Sequence, residues 1–398
     1  LQPSTRLTIR LGISQFIGWS SGFYLPAILA VPISKSLGIG TEIFFWAFTL
    51  ALLVSAFLGP VVGKWIDLLG GRKVLPFGNL FFIAGLLVLA LSTSVQMLFI
   101  AWLLIGVGAA MGNYDAAFAT AVNFFGNDAN KVIAGITVFV GFSSTISWPL
   151  NAFVSDAFGW QSAVLIWAVA HLIIGLPLNL TIPKSEPRTK LVAQKPEARA
   201  AKGRVRFDLL IVVFAVMFAL EGFMVASVNT TLPYLLGELG ASAQVALFAA
   251  AILGPSQVLA RVLIVVLGKV MSPMRVAAVA FLAHPIGVVL ILLFGVDALV
   301  PFVILHGISV GLDPFIRGTL PLLFFGPEGF GQRQGYIMML SKIVGAASPL
   351  LLTFLVVRDP TLAILTTMSM GVGAAGLLLW LYFIRRARVR KLPRLFTE

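Results

Sequence analysis

Six ionisable side chains interrupt otherwise apolar runs of this 398-residue chain: Asp115, Glu221, Arg261, Asp313, Arg317 and Lys342. Taking a lone charge out of water is costly, so each marks either an ion pair or a functional site. Their formal charges cancel, and three salt bridges would silence all six as a structural network. Asp313 and Arg317 lie four apart in "GLDPFIRGTLP", on one helical face, and are expected to pair. Arg261, inside "GPSQVLARVLIV", offers a planar fork for a carboxylate, and Lys342 a compact second charge. Together these two cations suit a small organic anion. Glu221 either compensates one of them or carries a coupling proton. Asp115, beside Asn113 and Tyr114, either makes local hydrogen bonds or handles protons.

Aromatic and amide groups supply the rest of a candidate binding surface. In "ISQFIGWSSGFYLPAILAVP", Gln15, Trp19 and Gly22 share a helical face. Trp19, Tyr24, Asn113, Tyr114, Trp148 and Asn229 either orient a ligand or simply pack. The chain has no cysteine, and His171, His284 and His306 are scattered, without a ligand cluster. The expectation is no metal, no cofactor and no catalytic residue. The histidines read as packed polar groups.

These side chains must be positioned by helices in a bilayer. Hydrophobic residues make up 59% of the chain and charged ones 11%, with a mean hydropathy of +1.01, far from a soluble domain. Stretches of about 20 apolar residues, the length that crosses a hydrocarbon core, occur twelve times. Their approximate limits are 9–32, 42–63, 74–92, 96–124, 132–156, 160–182, 208–235, 243–267, 275–295, 298–325, 335–357 and 361–384. No strand-like alternation points to a barrel. The first apolar segment reads as a retained span, not a cleaved leader. The fold class expected is an all-α membrane protein with twelve transmembrane helices in two pseudo-symmetric six-helix bundles. The first bundle covers 1–182, a linker 183–206, the second bundle 207–384 and a basic tail 385–398.

The linker holds eight Lys and Arg residues, and the tail carries "RRARVRKLPR". Lys64, Arg72, Lys73, Lys131, Lys269, Arg275 and Arg333 fall on the same side by parity, against Lys35 and Arg358 on the other. The positive-inside rule then puts both termini of a multi-pass cell membrane protein in the cytoplasm, the membrane being the inner one if the source is bacterial. The net charge of +13 is explained by anionic lipid, with no call for nucleic acid. "GKWIDLLGGR" (63–72) and "GKVMSPMR" (268–275) follow spans two and eight, while "NFFG" (123–126) and "LFFG" (323–326) end spans four and ten. This order suggests a duplicated half with a site between copies.

"GKWIDLLGGRKVL" resembles the loop signature of the major facilitator superfamily, matched by Gly63, Asp67, Gly70 and Arg72, with Gly71 replacing its first basic residue. The resemblance implies the major facilitator fold and a conformational latch in which Asp67 holds the second half at the cytoplasmic side. Along 106–160, Gly106, Gly108, Tyr114, Phe125, Ala134, Gly135, Gly141, Pro149, Leu150, Gly159 and Trp160 are similar to the monocarboxylate transporter branch. That branch has an arginine in span eight, and in its oxalate:formate relative a span-eight arginine and a span-eleven lysine grip the anion, a resemblance that implies those roles for Arg261 and Lys342. Where the branch has an aspartate four residues earlier stands Gln257, leaving the counter-charge of Arg261 to the substrate, Glu221 or Asp313. Trp102 occupies the place of the intramembrane arginine of drug/proton antiporters.

The expectation is a monomeric secondary transporter, moving a small mono- or dicarboxylate by alternating access, driven by protons or a counter-anion. A proton-driven exporter of drugs or amphipaths is the rival within transport. A non-transporting receptor or membrane enzyme is the rival outside it, and lacks both an extramembrane domain and a convergent nucleophile, base or metal set. No Walker loop suggests ATP drive. A discontinuous span ten, around Gly311, Pro314, Gly318 and Pro321, is expected to line the cavity.

Overall fold

The computed structural model describes residues 2–183, 208–267 and 271–391. Helix α1 (Pro3–Trp19) passes through a π-helical turn (Ser20–Tyr24) into α2 (Pro26–Leu37), and the pair is bent by 46°. The wide turn and the proline that opens α2 account for the bend. There follow α3 (Thr41–Leu69), α4 (Gly71–Ala90), α5 (Val95–Gly112), α6 (Tyr114–Phe125), α7 (Asn130–Gly141), α8 (Ser143–Phe158) and α9 (Trp160–Ala170). A second π turn (His171–Gly175) leads into α10 (Leu176–Leu180). The later helices are α11 (Leu209–Glu238), α12 (Ala243–Leu267), α13 (Pro273–Phe294), α14 (Leu299–Phe325), α15 (Phe330–Arg358) and α16 (Pro360–Lys391).

Among the described residues, nine helical runs are long and apolar enough to span a membrane, ten when α1 and α2 count as one bent span. Two of those runs, Val95–Phe158 and Pro273–Phe325, contain 64 and 53 residues. At about 1.5 Å per residue each exceeds twice a hydrocarbon core of roughly 30 Å. Each must double back, and does so at a glycine with positive φ: Gly126 at 56° and Gly295 at 59°. Each run is therefore two spans, which brings the total to twelve. The two motifs thought to be duplicated both close a helix this way, with Gly326, at φ 71°, ending α14 as Gly126 ends α6.

Two compact units emerge from the packing. One comprises Leu1–Phe207 with Phe325–Ile343, the other Asp208–Phe324 with Val344–Glu398. The first has a core of Leu29, Phe44, Phe82, Trp102, Trp160 and Trp167, and the second one of Leu236, Val288, Phe302, Leu352 and Ile364. Trp102 is fully buried edge-on between Phe44 and Phe48, 5.5 and 5.2 Å away, as a packing residue. Trp46, Phe153, Leu293 and Leu350 are among many large apolar side chains left exposed, a surface suited to lipid and not to water.

The first half of α15 joins the first unit because glycines let its backbone lie on α3. A Cβ on Gly63 would run into the Gly331 carbonyl, and one on Gly335 into Pro60. Helix α16 continues through Lys391, past the span end expected near 384. The linker from residue 184, Lys269, the start of "GKVMSPMR" and the tail from residue 392 lie outside the described residues.

The break in a span falls elsewhere than expected. Helix α14 is continuous through Pro314 and Pro321. A proline in a membrane helix is tolerated when neighbouring helices support the backbone around it, and Arg261 Nε donates to the Gly311 carbonyl at 3.3 Å, three residues before Pro314. Span four is interrupted instead. Asn113 is extended (φ −85°, ψ −168°) between α5 and α6.

Candidate functional site

In the first unit the break at Asn113 organises the polar groups. The Gly112 carbonyl, released from its helix, accepts a hydrogen bond from Gln15 Nε2 of α1. Asp115 lies in the first turn of α6, where unsatisfied N–H groups favour negative charge. Lys342 Nζ of α15 stands 2.7 Å from Asp115 Oδ2 and 3.4 Å from Ser55 Oγ, and Gln334 Nε2 donates to Asp115 Oδ1 at 3.4 Å. Lys342 is therefore an ion-paired cation.

Aromatic rings adjoin this pair. Trp19 lies 4.8 Å from Tyr114 and 6.5 Å from Tyr24, and Tyr24 lies 6.2 Å from Trp148. Asn113 Oδ1 faces Gly18, where a Cβ would collide with it. Asn113 Oδ1 and Trp19 Nε1 are both buried without a hydrogen-bond partner among the described residues. Of the sequence candidates, Trp19, Tyr24, Asn113, Tyr114, Trp148, Asp115 and Lys342 thus belong to one unit.

Asp67, at the end of α3, accepts hydrogen bonds from the backbone N–H groups of Gly331 and Gln332, each at 2.9 Å. These are the second and third residues of α15, so the carboxylate caps that helix from a different one. Gly63 permits the approach, Gly70 turns the chain at φ 79°, and Arg72 is exposed to solvent.

The second unit holds the other four charges and Asn229. Arg317 bonds Asp313 through Nε and Glu221 through Nη2, the latter at 3.3 Å, with Phe218 5.9 Å from the guanidinium. The expected i, i+4 pair is present, and Glu221 of α11 joins it as a third member, a pairing with Arg317 that no spacing in the sequence announces. Two carboxylates on one guanidinium leave an excess negative charge, and Glu221 is fully buried.

Arg261 differs from the other cations. It is only 6% exposed, yet among the described residues it meets no carboxylate; its hydrogen bond goes to the Gly311 carbonyl. Both acids considered as its counter-charge, Glu221 and Asp313, are held by Arg317. Gln257 lies where α12 crosses α14, its backbone against Gly311.

The histidines are polar connectors, and two of the three are not scattered in space. His284 Nδ1 lies 2.9 Å from His306 Nδ1, His284 Nε2 lies 3.0 Å from Thr367 Oγ1, and His306 Nε2 lies 3.2 Å from Asn229 Oδ1. The sequence held a signal for this: each histidine is about eleven residues from Gly295, where α13 turns back towards α14, so antiparallel packing sets them at one depth. His171 Nε2 meets Ser21 Oγ and its Nδ1 meets Asn79 Nδ2, both at 2.9 Å, joining the two π turns. Among the described residues no cluster of three or more His, Cys, Asp or Glu could hold a metal.

Comparison with known proteins agrees with this architecture. A family model for the Major Facilitator Superfamily matches residues 11–349. A proton:xylose symporter, XylE, solved with 6-bromo-6-deoxy-D-glucose, superposes with a TM-score of 0.73 at 15% identity, over 95% of both chains. The human organic anion transporter MFSD10 (TETRAN) does so with 0.71 at 15% identity, over 95% of this chain and 100% of that one. At such identity these two matches speak for the fold alone. An uncharacterized 38 kDa protein in the 23S RNA operon of Thermoproteus tenax is 27% identical over 157 residues, 39% of this chain and 40% of that protein.

Proposed function

The chain belongs to the Major Facilitator Superfamily, and from that premise we propose that it moves a small organic anion, a mono- or dicarboxylate, by alternating access of its two six-helix halves, 1–182 and 207–384. One observation carries the choice of an anion: Arg261 is buried with no carboxylate partner among the described residues. A guanidinium so placed is stabilised when a ligand brings the missing negative charge. A drug or cation exporter would need it already paired. MFSD10, which shares the fold, is an organic anion transporter, and that likeness supports the choice of an anion.

Coupling is assigned to the acidic groups. Glu221 and Asp313 share Arg317, so one added proton makes that cluster neutral. Asp115 and Lys342 are already balanced, and protonation of Asp115 would release the ammonium as a second cation. Energy then comes from a proton or from a counter-anion. The aromatic groups Trp19, Tyr24, Tyr114 and Trp148, with Asn113, supply walls and orienting contacts in the first unit. The positive-inside reading places both termini in the cytoplasm.

The test is counterflow in liposomes with labelled lactate and oxalate. Unmodified protein is expected to show saturable exchange, Arg261→Ala a loss of about tenfold or more, and Arg261→Lys an intermediate rate. Exchange that survives Arg261→Ala unchanged overturns the assignment, and dye export without anion exchange moves the protein to the exporter class.

A further inference from the structure

The hydrogen-bond chain Thr367, His284, His306, Asn229 joins four helices of the second unit, and its first three members are fully buried. The elements packed there bring few other charges. Along their own helices, Glu221 is eight residues from Asn229, Arg275 nine from His284, Asp313 and Arg317 seven and eleven from His306, and Asp359 eight from Thr367. At about 1.5 Å per residue these separations exceed 10 Å. Arg261, from α12, reaches Gly311, five residues beyond His306. Among the described residues no charged group hydrogen-bonds either ring, so the chain is a neutral one.

A neutral imidazole donates through one nitrogen and accepts through the other. With the Asn229 carbonyl oxygen turned to His306 Nε2, that nitrogen must donate. His306 Nδ1 then accepts from His284 Nδ1–H, and His284 Nε2 accepts from the Thr367 hydroxyl. The opposite polarity is also complete: Thr367 Oγ1 turns its proton to the Ile364 carbonyl, 2.8 Å away, each ring takes its other tautomer, and the Asn229 amide flips. Only these two settings satisfy every member. The difference emerges at Asn229, which is half-buried and whose Nδ2 makes no hydrogen bond to a described residue.

We propose that this two-histidine wire sets the chemical face of Asn229, and that with the Asn229 oxygen turned to His306 it is a specificity-determining residue that offers N–H donors to a substrate oxygen. The ligand chemistry that fits is a carboxylate or carbonyl, a choice that rests on the anion reading above. His284 and His306 are positioning residues, acting through Asn229. They keep its carbonyl inward and its amide hydrogens outward.

The wire can be read directly, because the chain has only three histidines. In protein labelled with 15N-histidine and held in nanodiscs, NMR is expected to show His306 protonated on Nε2 and His284 on Nδ1. His171 serves as a reference, since its Nδ1 accepts from Asn79 and its Nε2 therefore carries the proton. His284→Gln should remove the single Nδ1–H signal; survival of that signal would place it on His306 and overturn the polarity. Independently, Asn229→Asp keeps an oxygen for His306 and turns a second acceptor outward. Its KM for lactate should rise about tenfold or more with Vmax within about twofold, the split expected for a lost binding contact. An unchanged KM overturns the role given to Asn229. Absence of anion exchange by unmodified protein defeats the anion reading and with it the ligand named here, while the NMR signals decide the polarity of the wire by themselves.

Discussion

Asp67 is the point at which the fold makes a measurable commitment. Replacing it with Ala removes two carboxylate hydrogen bonds of 2.9 Å to the second and third residues of α15. Bonds to a charged group contribute roughly 1.5–3 kcal/mol each when well buried, but Asp67 is only partly buried. A combined loss of about 2 kcal/mol is the reasonable figure, in line with the upper range for a helix cap. At about 1.4 kcal/mol per decade, local opening of the α15 start becomes about 30-fold more frequent. Asp67→Asn keeps one acceptor but sets an NH2 group against the other N–H, and should cost about half as much, near fivefold. Hydrogen–deuterium exchange of peptides spanning 330–338, with the protein in nanodiscs, reads this opening amide by amide. Faster exchange confined to that segment is expected in both variants, larger in Asp67→Ala. Exchange rates in the Ala variant equal to the unmodified protein's would refute the capping role.

Three further outcomes follow from the same geometry. Gly63→Ala drives a methyl group into the Gly331 carbonyl, a backbone atom with little room to yield, and should lower the thermal midpoint by the equivalent of roughly 1–3 kcal/mol; an unchanged melt would contradict the close approach of α3 and α15. Arg317→Gln strands two carboxylates, one fully buried, and should destabilise by about 3–5 kcal/mol unless Glu221→Gln is added; a double variant no more stable than the single one would argue against a shared guanidinium. Asp115 is supported by Lys342, Gln334 and the α6 N-terminus, whereas Lys342 has Asp115 and Ser55. Asp115→Ala should therefore be costlier than Lys342→Ala by about 1 kcal/mol in a chemical melt, the partial exposure of both side chains keeping the difference small, and a reversed order would sink that account.

What was legible in the sequence was whatever one helix encodes alone. The twelve spans follow from apolar length, the Asp313–Arg317 pair from a spacing of four, and the turn glycines from the repeated "FFG". Contacts between helices were not legible. Glu221 as second partner of Arg317, and Asp115 as partner of Lys342, join residues 96 and 227 positions apart, a distance over which no periodicity speaks. The misplaced helix break has a related cause. Prolines in α14 are conspicuous in sequence, but packing against α12 supports that backbone, while Asn113 breaks span four without a proline to announce it. The histidine pair was within reach, given equal distances from Gly295, and needed the turn to be fixed first.

The division of charge between the packed units has an electrical meaning. Asp115 and Lys342 in one unit sum to zero, and so do Glu221, Asp313, Arg261 and Arg317 in the other. A membrane potential does about 2.3 kcal/mol of work per elementary charge per 100 mV, and among these six groups it finds no net formal charge to pull on in either unit. An anion seated at Arg261 changes that. The voltage dependence of a transport cycle would then belong to the cargo and its proton, with the polypeptide acting as a neutral dielectric around them.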